Sequence, residues 1–164
     1  MQHLPYQART PSFLHTIFGA LSYTREEALK RGTLVDVTAQ AKRFSYPCAV
    51  AISRTLFEQC VQWDRFDSEC QVYQDQDNRL SNVLVASRAA MRRSGFAQLQ
   101  ASFVLKVLPK DGYSRIKTSK HLKIMLDKDD QNHPALTLMM VDDLHQALLD
   151  FSRNAQENLD RVAL

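Results

Sequence analysis

A chain of 164 residues, 45% hydrophobic and 24% charged, has the make-up of one soluble globular domain, long enough to bury a core without disulfide or metal staples. Four Gly and five Pro argue against disorder and against a repetitive β fold. No apolar run nears the ~18 residues of a membrane span, and the polar start Met1–Thr10 lacks a secretory pattern, which points to the cytoplasm. The net charge of +3 hides a segregation: residues 88–128 hold ten Lys/Arg against two Asp, whereas residues 129–164 hold seven acids against two Arg. A basic block attracts polyanions, and an acidic neighbour repels or mimics them.

Residues 1–16, with Pro5 and Pro11 and no periodicity, read as a flexible tail before a single α+β domain over 17–142. Thr24-Arg25-Glu26-Glu27 is a capping-box pattern, and Gly32 ends the short helix it opens. Leu34–Val37 predicts a strand or an extended lead-in, Thr38–Arg43 a short helix and Cys48–Ile52 a buried strand. Ser53 caps a helix over Arg54–Trp63 that turns Leu56, Phe57, Cys60 and Val61 to one side. The polar, acidic stretch Asp64–Asn78 reads as a loop. A helix over Arg79–Ser94 follows, with Leu80, Val83, Leu84, Ser87, Ala90 and Met91 on the 3.6-residue period and Gly95 as its stop.

From Gln100 the period changes to two. Ala101–Leu108 predicts a strand, Pro109-Lys110-Asp111-Gly112 a tight turn, and Tyr113–Leu126 the return strand. In that strand Ile116, Thr118, Leu122, Ile124 and Leu126 point one way and Arg115, Lys117, Ser119, His121 and Lys123 the other. Ala135–Val141 predicts a third strand, and Asp142 or Asp143 would cap a long amphipathic helix over 143–164. The expected fold is therefore α+β: an antiparallel meander of about three strands, with room for a fourth, helices packed on one face, and a long C-terminal helix.

The wet face of the Tyr113–Leu126 strand is the leading candidate site. Arg115, Lys117 and Lys123 alternate along it, with Lys106 on the paired strand and Arg92 and Arg93 nearby, a spacing suited to phosphates. The competing reading is a solvated, edge-protecting strand. The C-terminal stripe Leu144, Leu148, Phe151, Ala155 and Val162 follows steps of four and three around Asn158. It fits either docking on the domain or a homodimer seam. Three Cys and five His show no metal-ligand spacing, there is no Gly-rich phosphate loop and no nucleophile motif. The expectation is a non-enzyme with no cofactor and no metal.

Several segments carry a resemblance. They are Ile17-Phe18-Gly19; Ser22-Tyr23-Thr24-Arg25 with Ala28; Gly32-Thr33-Leu34-Val35-Asp36-Val37; Tyr46-Pro47; Cys60-Val61-Gln62-Trp63; Arg79-Leu80 with Val83-Leu84; and Pro109-Lys110-Asp111-Gly112. Over about residues 17–140 the chain resembles an uncharacterised family of small proteins carried on bacterial plasmids, phages and integrated elements. The resemblance implies an accessory protein of a mobile element that acts by binding a host protein or nucleoprotein complex, for example against a host defence. The residues themselves support the alternative of direct, sequence-nonspecific nucleic-acid binding. Thr24 and Asp36 have a structural reading as helix caps, and Trp63 as a core or rim aromatic.

Overall fold

The computed structural model describes residues 24–95 and 100–143. Its elements in chain order are α1 (Arg25–Lys30), β1 (Leu34–Asp36), α2 (Thr38–Arg43), β2 (Ala49–Ser53), α3 (Arg54–Leu56) running into a π-helical turn (Phe57–Val61), α4 (Arg65–Cys70), α5 (Gln76–Ser94), β3 (Gln100–Val107), β4 (Thr118–Lys128) and β5 (Pro134–Met140).

The five strands form one mixed sheet in the order β1-β2-β5-β4-β3. β5 lies parallel to β2, with Val50 opposite Leu136, and antiparallel to β4, with Ile124 opposite Leu138. β1 pairs antiparallel with β2, and β3 with β4. This corrects the expected antiparallel meander. The last strand does not extend the sheet at its edge but inserts at its centre. β5 is buried from Ala135 to Met140 without a break, because a central strand is covered on both faces, whereas edge strand β3 alternates.

The helices are not confined to one face, as expected from sequence. α5 and the π-helical turn pack on the inner face, where Leu80, Val83 and Leu84 meet Ile52, Leu122, Ile124 and Leu138. α1 covers part of the outer face, where Ala28 packs with Leu34 and Ala51. It is opened by the capping box foreseen from sequence: Glu27 N donates to Thr24 Oγ1 at 3.2 Å and Thr24 N to Glu27 Oε2 at 3.0 Å.

Two buried arginines tie the layers together. Arg25 donates to Thr137 Oγ1 at 2.6 Å and to Leu136 O at 3.0 Å, joining α1 to β5. Arg79 stacks 4.5 Å from the Trp63 ring and donates to Leu108 O, Gln59 O and Gln74 Oε1.

The expected loop 64–78 contains α4, opened by a second capping box in which Asp64 and Asp67 each accept the other's backbone N–H. The elements among the described residues do not include the expected long C-terminal helix. Helix is described only over residues 141–143, where Asp143 accepts from Met140 N and Ser53 Oγ. The rest of 143–164, with Leu144, Leu148, Phe151, Ala155 and Val162, lies outside the described residues, as does the N-terminal tail. No helix among the described residues is long and apolar enough to cross a membrane.

Candidate nucleic-acid interface

The β3–β4 ladder fixes which cations share a face. Lys106 lies opposite Ser119, Val104 opposite His121, and Ser102 opposite Lys123. Side chains two apart on a strand point the same way. Lys106, Val104 and Ser102 therefore stand on the outer face with Ser119, His121 and Lys123, while Phe103, Val107, Leu122 and Ile124 enter the core. Beyond the cover of α1 this part of the outer face is open: Val104 is 53% exposed, and Lys106 and His121 are exposed. Lys120 has the other parity and donates to Gln59 Oε1 at 2.8 Å on the inner side.

The strand expected from Tyr113 begins only at Thr118, so Arg115 and Lys117 sit on the connecting loop and Ile116, expected inward, is 81% exposed. The cause is local hydrogen bonding that competes with the ladder. Asp111 accepts from Tyr113 N at 3.2 Å, from Ser114 N at 2.8 Å and from the Ser114 hydroxyl. Gln71, anchored at the end of α4, donates from Nε2 to Pro109 O, Asp111 Oδ1 and Ser114 O. The backbone carbonyls of the loop thus face a side chain, not a partner strand. Replacing Gln71 with alanine is expected to speed amide exchange at Tyr113 and Ser114 while leaving α5 protected. The local cost is about 1–2 kcal/mol, and hydrogen-exchange mass spectrometry would measure it.

The same link brings α4 and its following turn beside the hairpin loop. Of the seven large hydrophobic side chains exposed among the described residues, five lie on these two tied segments: Phe66, Val72, Tyr73, Tyr113 and Ile116. Sequence reasoning noted only Tyr113. The other aromatics were legible only as Phe66 and Tyr73 standing in a polar stretch.

The acids near this surface are engaged internally. Asp64 and Asp67 cap α4 and approach Lys110 Nζ at 3.7 and 3.0 Å. Glu69 pairs with Arg65, and Asp75 accepts from Asn78 N at the start of α5. The Asp67 backbone N–H holds the Asp64 carboxyl below its ordinary 3.8, and the Ser114 hydroxyl does the same for Asp111. A carboxylate with a depressed folded value contributes stability that is complete above its unfolded value. That stability is lost as pH falls through the lower folded value. The melting temperature is therefore expected to drop on acidification through and below 3.8. Asp111→Asn would flatten that drop, as read from thermal melts across pH.

Lys106, Arg115, Lys117 and Lys123 make no ion pair among the described residues. Arg92 and Arg93 are also exposed, but they lie in the last turn of α5, which packs on the inner face. The sheet thus gathers four of the six expected cations around β3, β4 and their loop and leaves the two helix arginines apart.

No cluster of three His, Cys, Asp or Glu able to hold a metal occurs among the described residues. Cys48, Cys60 and Cys70 are free thiols, and burial pushes Cys48 and Cys60 up from the ordinary value, the opposite of what a nucleophile needs. No family model, no curated protein and no solved structure matches the chain.

Proposed function

We propose that the protein is a non-enzymatic cytoplasmic binding protein whose β3–β4 hairpin contacts nucleic acid without reading its sequence. The observation that carries the reading is the state of four cations. Lys106, Arg115, Lys117 and Lys123 have no acidic partner among the described residues, whereas Asp64, Asp67 and Asp111 are held in caps and turns. A cation left in water can exchange its counterions for phosphates, and the counterions released on contact drive the binding. Tyr113 at the tip, with Tyr73 and Phe66 on the tied segment, offers ring faces on which unpaired bases can stack. The reading fits an accessory protein of a mobile element acting at a nucleoprotein complex, the class that the family resemblance implies.

The test is fluorescence anisotropy of labelled oligonucleotides, single- and double-stranded, with the natural chain and with Lys117→Glu/Lys123→Glu. The double reversal removes two phosphate contacts and adds two repulsions. It is expected to weaken binding by about two orders of magnitude at low salt, with unchanged circular dichroism. Equal binding by the reversed variant would sink the assignment.

A second reading rests on the exposed apolar set itself. Aromatic side chains rimmed by charge are what protein hot spots are made of, so the same tip could dock on a host protein. Salt separates the two readings: phosphate contact weakens steeply as salt rises, whereas a docking tip built on these rings weakens little.

A further inference from the structure

At the end of the sheet away from the hairpin tip, a cavity of about 520 Å³ opens between the C-terminal part of α5, the start of β2 and the β4–β5 turn. Its walls are apolar, from Met91, Ile124, Leu126 and Leu136, with Ala101 as its floor on β3. This volume falls in the range of small-molecule sites, roughly 300–1,000 Å³, and such sites pair apolar walls with a few placed polar groups.

Here those groups are Asp129 and His133, both at the lining. Asp129 Oδ1 accepts from Gln131 N at 2.9 Å and His133 N at 2.8 Å, which fixes the carboxylate. Its Oδ2 stands 3.5 Å from His133 Nδ1. The His133 backbone N–H keeps Asp129 below the ordinary carboxylate value, so the carboxylate is charged at neutral pH. An imidazole carries two ring nitrogens, so one can face Asp129 while the other meets a ligand group. Cys48, also at the lining, is a neutral thiol because burial raises it.

We infer that this cavity binds a small uncharged molecule with an aromatic or alkyl body and one hydrogen-bond donor, the body held by Met91, Ile124, Leu126 and Leu136 and the donor directed to His133. An anionic head is disfavoured by the fixed Asp129 carboxylate, and a head without a donor forgoes the bond to His133. The inference is independent of nucleic-acid binding, since the hairpin tip and the cavity lie at opposite ends of the β3–β4 ladder.

The probe is N-phenyl-1-naphthylamine, an uncharged aromatic amine with a single N–H. Titrated into the full chain, it is expected to give saturable fluorescence enhancement at one site. Ala101→Phe fills the floor and is expected to weaken it by more than about tenfold. His133→Leu is expected to weaken the amine about tenfold, the loss of one hydrogen bond, and to leave 1-phenylnaphthalene, which lacks the N–H, unaffected. A further arm needs no variant: with isotope-labelled methionine methyl groups, the Met91 signal should move on titration while Met125 and Met139, on the other face of the sheet, stay in place. Absence of saturable enhancement, enhancement that survives Ala101→Phe in a folded variant, or a stationary Met91 signal overturns the proposal.

Discussion

Replacing Arg79 with alanine is expected to lower the melting temperature by about 10 °C, the result of losing roughly 3–4 kcal/mol in a domain of this size. The guanidinium is 5% exposed and lies over Trp63. It reaches Leu108 O at the end of β3, Gln59 O in the π-helical turn and Gln74 Oε1 before α5. Burial lowers its pKa, yet no carboxylate among the described residues pairs with it directly. It is held as a cation by carbonyl dipoles and a ring face. Alanine leaves those carbonyls buried without a donor, which costs more than the lost bonds. Arg79→Lys is expected to recover little, because an ammonium cannot stack on Trp63 and fork to several carbonyls at once. Thermal melts followed by circular dichroism would check both variants. A loss below about 1 kcal/mol for alanine would show that water replaces the guanidinium at no cost.

Arg25→Met should cost about as much, roughly 3 kcal/mol, but by another route. Arg25 leaves α1 and reaches Thr137 and Leu136 of the central strand. Thr137 is fully buried and Arg25 only 9% exposed, so neither bond has water as a ready substitute. Methionine keeps the packing and removes only the donors. The loss is expected to appear as early unfolding of α1, with its amides exchanging faster than those of α5. Thr137→Val removes one partner alone. Combined with Arg25→Met it should cost less than the sum of the two single changes, since both break the same contact. Full additivity in chemical denaturation would contradict the pairing.

These two arginines also mark what the sequence made legible. Thr24, Arg25, Asp36, Trp63 and Arg79 were all singled out in the sequence, and all five hold the fold together. Thr24 caps α1, Asp36 accepts from Thr38 N at the start of α2, and Trp63 is buried beneath Arg79. Local patterns were readable where the physics is local. The capping box at Thr24, the α5 stripe and the two-residue alternation of β3 each depend on residues within a few positions. The full strand order was not readable, because the pairing of β5 with β2 joins residues more than 80 apart in the chain. Its one signal was the unbroken run Ala135–Met140, which a strand at the edge of a meander has no need of. The hairpin failed similarly. Alternation favoured a strand from Tyr113, but Asp111 and the distant Gln71 offered its backbone better partners than a ladder.

The cations of the candidate surface were legible as residue types and not as an arrangement. Lys106, Lys117 and Lys123 were found by charge, and Arg92 and Arg93 were grouped with them because sequence distance stood in for space. The register of β3 against β4 separates the sets. The acidic stretch 64–78, read as a loop, instead holds Asp64, Asp67 and Asp75 as helix caps, with Asp67 also paired to Lys110.

The most direct test of nucleic-acid contact by the β3–β4 hairpin is the salt dependence of binding to an unstructured single strand and to a duplex. Four phosphate contacts predict a slope of log affinity against log salt of roughly −3 to −4, reduced by about two in Lys117→Glu/Lys123→Glu. No measurable binding at low salt, or binding with a flat slope that the reversal does not change, would contradict the account.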